Sequence, residues 1–381
     1  MVSGLVPLAL LVAAASLYGR LRAGARGTIA LLLGYLGVLA GVEAVYYTRA
    51  VGPSGDDYTG LLAVFAGLLL LGVGIVTLWR SRRVDDRLWW RYGRRLLFAV
   101  ATAVLAVAVL LPFAIGYAVT HVLRAEVPRP ELGVAYENVE FTTSDGLKLK
   151  GWYIPSKNRA AVISFPGRSG TQNEAKMLAR HGYGVLLFDR RGEGESEGDP
   201  NAFGWRGERD IHAAVAFLQR RSDVDPARIG GIGLSVGGEM MIEAAAESSA
   251  LKAIVSEGAS GRSVRDILAN PQRTWQEVLG NGVATAATAL FTNNLPPADL
   301  RSLVPKIAPR RVLFVYGARG QSVEEPANRA FYADAREPKA IWEVPEAGHV
   351  GGLEARPKEY ERRVVGFFDG ALLQTDEGGD R

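Results

Sequence analysis

The sequence predicts an α/β domain built on a mostly parallel sheet, preceded by four membrane-spanning helices. Three observations carry this: long apolar runs confined to residues 1–122, short apolar runs alternating with helical segments beyond residue 126, and a glycine-flanked serine at Ser235. In the second half, apolar runs at 160–165, 184–189, 228–232, 251–256, 311–316 and 340–344 alternate with helical stretches at 172–182, 206–221, 236–247, 325–335 and 357–373. Continuous apolar strands are buried on both faces, so helices must cover a parallel sheet on each side. Ahead of them, alternating polarity in 134–143 and 147–154, separated by Ser144, Asp145 and Gly146, predicts an antiparallel hairpin.

In the first half, runs at about 2–19, 28–47, 58–79 and 97–120 are close to the roughly 20 apolar residues that a helix needs to cross a bilayer. The first run lacks a basic leader and is followed by RLRAGARG, so it reads as a retained helix rather than a signal peptide. Gly37 and Gly41 make a small-residue face suited to helix packing. Glu43, beside Tyr46 and Tyr47, reads as an interfacial carboxylate. Arg20, Arg22 and Arg26 lie in the first connection and Arg80, Arg82, Arg83, Arg87, Arg91, Arg94 and Arg95 in or beside the third. The second holds Arg49 with Asp56 and Asp57. Positive charge stays cytoplasmic, which puts the domain after the fourth span outside. The expectation is an integral protein of the plasma membrane, with a membrane domain at 1–125, an extracytoplasmic domain at 126–373 and a disordered tail at 374–381.

The net charge of +4 comes with no basic, aromatic-interleaved groove, so nucleic acid is not an expected partner. The absence of cysteine excludes disulfides, thiolate metal sites and a cysteine nucleophile. Gly233, Leu234, Ser235, Val236 and Gly237 form G-x-S-x-G between an apolar run and a stretch of strong helix formers. The glycines relieve a sharp turn, and the serine meets the positive end of the helix. Gly194 to Gly198 match the same pattern around Ser196, but DPNAFGW follows, which starts no helix; Ser196 reads as a loop residue.

The pieces FPG (165–167), FDRRGEGES (188–196), GLSVGG (233–238), the loop from Gly317 and AGH (347–349) together resemble the α/β-hydrolase superfamily, nearest its serine-aminopeptidase-like and dienelactone-hydrolase-like branches. The resemblance covers residues 134–372 and implies an eight-stranded α/β-hydrolase fold, a Ser, acid, His triad in that chain order, and hydrolysis of esters, thioesters or peptide-like amides without metal or organic cofactor. Of His121, His181, His212 and His349, only His349 follows Ser235, so it is the expected base. The backbone N–H groups of Val236 and Arg168 are the expected oxyanion donors. The Arg168 guanidinium reads as solvated surface, with an anionic substrate group as the sharper alternative.

The acid is not settled by pattern. The family position holds Gly320, leaving Glu324 or Glu325, with Glu257 as a third candidate. Glu324 and Glu325 also suit the first turn of a following helix. An insertion at about 262–306, with an apolar run at 282–291, reads as a core-packing helix or as a cap admitting an acyl chain. The expected partners are an acyl substrate, whether small molecule, lipid or peptide, and membrane lipids. The missing aspartate also leaves open a catalytically impaired, membrane-tethered binding or signalling module.

Overall fold

In the computed structural model the described residues are 19–51, 57–80, six positions between 92 and 104, and 126–374 apart from 199–202, 264, 267–274 and 293. The expected spans at 2–19 and 97–120 and the expected tail at 374–381 lie largely outside them, and His121 wholly so. The chain divides into two compact units, Met1–Leu123 with Leu279–Asn293, and Arg124–Val278 with Asn294–Arg381.

In the first unit, helices α1 (Ala23–Val51) and α2 (Asp57–Arg80) pack against each other. Their backbones approach through glycine. A Cβ on Gly34 would lie 2.7 Å from the carbonyl oxygen of Gly67, and one on Gly74 would lie 2.8 Å from that of Gly27. Gly37, expected in a helix contact, lies 3.0 Å from a Cβ on Gly67. Among the described residues no helix is long and apolar enough to cross a membrane. The four-span expectation therefore rests on the sequence alone.

The second unit carries an eight-stranded sheet in the order β1-β2-β4-β3-β5-β6-β7-β8. The strands are β1 (Glu137–Thr142), β2 (Lys148–Ile154), β3 (Ala161–Phe165), β4 (Gly184–Phe188), β5 (Ile229–Leu234), β6 (Ala253–Glu257), β7 (Arg311–Gly317) and β8 (Lys339–Val344). The β1–β2 hairpin and the β2–β4 pair are antiparallel; every other pair is parallel. The helices are α3 (Gln172–Arg180), α4 (Gly207–Gln219), α5 (Val236–Glu247), α6 (Trp275–Thr292), α7 (Leu300–Leu303), α8 (Glu324–Asp334), α9 (Gly352–Ala355) and α10 (Pro357–Phe368).

Strand alternation builds two cores. Ile163, Leu186, Ile254 and Phe314 join Ile211 of α4, Met240 of α5 and Phe331 of α8 on one face. Val162, Leu187, Val255 and Val315 join Leu178 of α3 and Val364 and Phe368 of α10 on the other. Successive residues of one strand thus serve opposite cores, as the period of two requires. This two-faced cover aligns the carboxyl ends of the parallel strands, where a ligand crevice forms in such sheets. The insertion expected over 262–306 is divided: its residues 279–293, most of the small-residue helix α6, group with the N-terminal unit.

Candidate active site

Ser235 sits between β5 and α5 with φ 53° and ψ −126°, a conformation that costs a residue bearing a side chain. Its surroundings hold it there. The Ser235 N–H donates to the Glu257 carbonyl at 2.7 Å, and its own carbonyl accepts Gly238 N–H at 2.9 Å. A Cβ on Gly237 would meet Pro166 Cδ at 2.7 Å, so only glycine lets this turn approach the end of β3.

His349 lies in the loop after β8. Its Nε2 is 2.8 Å from Ser235 Oγ and its Nδ1 is 2.5 Å from Glu324 Oε1. Glu324 is fully buried at the start of α8. Its Oε1 also accepts the Gln321 N–H at 2.7 Å, while its Oε2 has no hydrogen-bond partner. Of the two glutamates between which the sequence leaves the choice, Glu324 alone faces the imidazole. Glu325 is exposed and pairs with Arg329 at 2.9 Å. Gly320 stands where the family pattern has aspartate, and a Cβ on it would come within 2.5 to 2.9 Å of the Glu324 carboxyl atoms. The carboxyl group of Glu324 fills the space that an aspartate side chain at this position would need.

Glu257, the third candidate, does not touch His349. Its Oε1 accepts Gly352 N–H at 2.9 Å and its Oε2 accepts the Tyr360 hydroxyl at 2.5 Å. Burial pushes the Glu257 carboxyl above its ordinary range, and burial with the neighbouring Glu257 and Glu174 charges pushes the Tyr360 phenol well up.

Burial first, and then the Glu257 charge, raise Glu174 to about 7. A carboxyl group raised in the fold binds its proton more tightly folded than unfolded. The stability this gives is complete below the unfolded value of 4.5 and is lost as pH rises through about 7. That displacement corresponds to roughly 3 kcal/mol. Glu174→Gln is therefore expected to raise the Tm at pH 8 by several degrees and to leave it nearly unchanged at pH 4. An equal Tm change at both pH values would contradict this.

Two expectations are corrected. The Arg168 N–H, expected to face an oxyanion, donates to Asp189 Oδ1 at 3.0 Å. Its guanidinium is not the expected solvated surface group. It is buried, pairs with Asp189 and Glu195, and lies 5.2 Å over the Trp152 ring. The Asp189 carboxylate accepts both the backbone and the side chain of Arg168, so the residue is drawn away as one unit. Val236, first residue of α5, keeps its N–H at the head of the helix, where no preceding turn supplies an acceptor.

Ser196 is buried; its hydroxyl donates to the Asp189 carbonyl at 2.6 Å and accepts from Lys150 N–H at 3.0 Å. It ties the β4 loop to β2. His181 pairs with Glu361 at 2.8 Å, and His212 Nε2 lies 3.2 Å from the Ala244 carbonyl. Among the described residues no group of three or more His, Asp and Glu side chains could hold a metal ion. Sequence reasoning missed the Arg168–Asp189 pair and the Glu257 contacts. Their signal was a charge at the end of a central buried strand, which needs a buried partner.

The profile of the X-Pro dipeptidyl-peptidase (S15 family) matches residues 136–343, more than half of the chain. The chain belongs to this S15 family. It is a hydrolase of α/β-hydrolase fold. The S15 chain is 25% identical over 247 residues to YfhR of Escherichia coli (strain K12), an alignment covering 62% of this chain and 81% of YfhR. It is 36% identical over 129 residues to the thiohydrolase aneE of Aspergillus aculeatus, covering 32% of this chain and 41% of that one. Among solved structures, the esterase Pf2001 of Pyrococcus furiosus superposes with a TM-score of 0.53 at 22% identity, over 66% of this chain and 98% of the esterase. The α/β-hydrolase GrgF of a Penicillium species superposes with a TM-score of 0.52 at 22% identity, over 63% of this chain and all of GrgF.

Proposed function

We propose that this S15 chain is a serine hydrolase that cleaves an ester, thioester or peptide-like amide through an acyl-enzyme on Ser235. The observation that carries the reading is the continuous line from Ser235 Oγ through His349 to the buried Glu324, with contacts of 2.8 and 2.5 Å. His349 Nε2 takes the hydroxyl proton as Oγ bonds to the substrate carbonyl carbon, and the carbonyl electrons move onto its oxygen. The Val236 N–H and the positive end of α5 stabilise that oxyanion; one such donor is typically worth about 3 kcal/mol. Collapse expels the leaving group, which receives the proton from His349. Water repeats the sequence and releases the acid. Glu324 accepts the Nδ1–H, which fixes the tautomer and leaves Nε2 free to accept.

The acyl class is supported by relatives named as a thiohydrolase and a polyketide transferase. The domain is further proposed to be tethered to a membrane and to face outward. The arginine asymmetry of the first and third connections supports this. So do Leu62, Phe65, Leu69, Ile75 and Trp79, which are exposed along α2 and form an apolar surface that water alone does not cover favourably.

A fluorophosphonate probe, in permeant and impermeant forms, tests both parts on intact cells expressing the full chain. Both forms are expected to label wild-type protein at Ser235, and neither to label Ser235→Ala. Absence of labelling by both forms defeats the serine mechanism. Labelling by the permeant form alone defeats the outward orientation.

A further inference from the structure

One residue outside the Ser235, His349, Glu324 line bonds both to the Ser235 backbone and to the segment that follows His349. The Glu257 main-chain carbonyl accepts the Ser235 N–H at 2.7 Å, while its buried carboxylate accepts Gly352 N–H, three residues after His349, at 2.9 Å. Tyr360, at the start of α10, closes the carboxylate from its other side at 2.5 Å. Gly258 continues the arrangement: it has φ 70°, and a Cβ on it would lie 3.3 Å from the His349 ring and 2.9 Å from Val350 Cγ1.

The loop that Glu257 grips is itself under tension. Val350, next to His349, has φ 49°, a conformation that a β-branched residue adopts only when its surroundings over-determine it. A carboxylate is also an expensive side chain to bury at the end of a central strand, where an aliphatic residue would be favoured on packing alone. Here both oxygens are occupied by donors from the segment that follows the histidine.

We propose that Glu257 is a positioning residue that sets the separation and mutual orientation of Ser235 and His349, its backbone holding the nucleophile turn and its carboxylate holding the histidine loop. The proposal rests on the serine-hydrolase reading above. Its effect belongs to the chemical step, where displacing a base by about 1 Å is enough to cost a hundredfold, and not to substrate affinity.

The test compares Glu257→Ala, Glu257→Gln and Tyr360→Phe in the full chain, with kcat and KM measured on a p-nitrophenyl ester and kcat expressed per fluorophosphonate-titrated site, so that misfolded molecules do not count. Glu257→Ala is expected to lose about 10- to 100-fold in kcat with KM within twofold. Glu257→Gln is expected to recover to within threefold of wild type, because its amide oxygen accepts from Gly352 and its amide nitrogen donates to the Tyr360 oxygen. Tyr360→Phe, which removes one anchor, is expected to lose threefold to tenfold in kcat alone.

If Glu257→Ala yields no titratable sites, Tyr360→Phe and Glu257→Gln decide. Wild-type kcat in Glu257→Ala or Tyr360→Phe, or a glutamine variant as impaired as alanine, overturns the proposal. A wild-type chain that the probe does not label at Ser235 removes the underlying reading, and the positioning role with it. That outcome is distinct from labelled protein that is indifferent to Glu257.

Discussion

Replacing Ser235 by alanine is expected to lower kcat on an activated ester by about 10⁶-fold, and replacing His349 by alanine to do the same, with the double variant no worse than either. The non-additivity follows from the geometry. Ser235 Oγ and His349 Nε2 are 2.8 Å apart and, in the proposed mechanism, act on one proton; without the base the hydroxyl is a poor nucleophile, and without the hydroxyl the base has nothing to activate. What survives is the contribution of binding and of the Val236 N–H, which neither substitution touches. Steady-state kinetics on the three variants, each checked for a wild-type Tm, measure this. Two independent losses that multiply in the double variant would mean that the residues do not act as one unit.

The parts of this site that were legible in the sequence are those with a local cause. The Ser235 turn needs glycine at 233 and 237 and a helix immediately after, and all of these are contiguous in the chain. The strand and helix alternation was legible because a sheet buried on both faces demands continuous apolar strands, and its runs differ from the structural bounds by only a few residues. His349 was reached by chain order within the resemblance.

What the sequence left open depends on contacts between distant segments. Choosing Glu324 over Glu325 requires knowing which side of one helical turn faces His349, and the pattern is equally good for both. Arg168 looked like an exposed charge because nothing nearby in the chain pairs with it; its partners Asp189 and Glu195 are brought beside it only by the β3–β4 pairing. Glu257 was visible as a carboxylate at a strand end. Its partners, Gly352 and Tyr360, lie roughly a hundred residues further on.

Glu324→Gln is expected to lower kcat by about 10⁴-fold, whereas Glu325→Gln should stay within twofold of wild type. The amide preserves the shape of Glu324 but reverses what it can offer. Through its NH₂ it donates to Nδ1, which places the imidazole proton on Nε2 and points a donor at Ser235 where an acceptor is needed. Glu325, exposed and paired with Arg329, has no such path to the ring.

The same geometry makes a stronger test of why residue 320 is glycine. Gly320 has no positive φ that would penalise a side chain; its obstacle is the Glu324 carboxyl group, within 2.5 to 2.9 Å of a Cβ. Gly320→Asp alone should therefore be damaging, because two carboxylates would compete for one space. In Glu324→Ala that space is open, and an aspartate at 320 can turn toward Nδ1. The double variant Gly320→Asp with Glu324→Ala is expected to exceed Glu324→Ala by at least tenfold in kcat per titrated site. A double variant no better than Glu324→Ala would show that the two positions are not interchangeable sources of the same carboxylate.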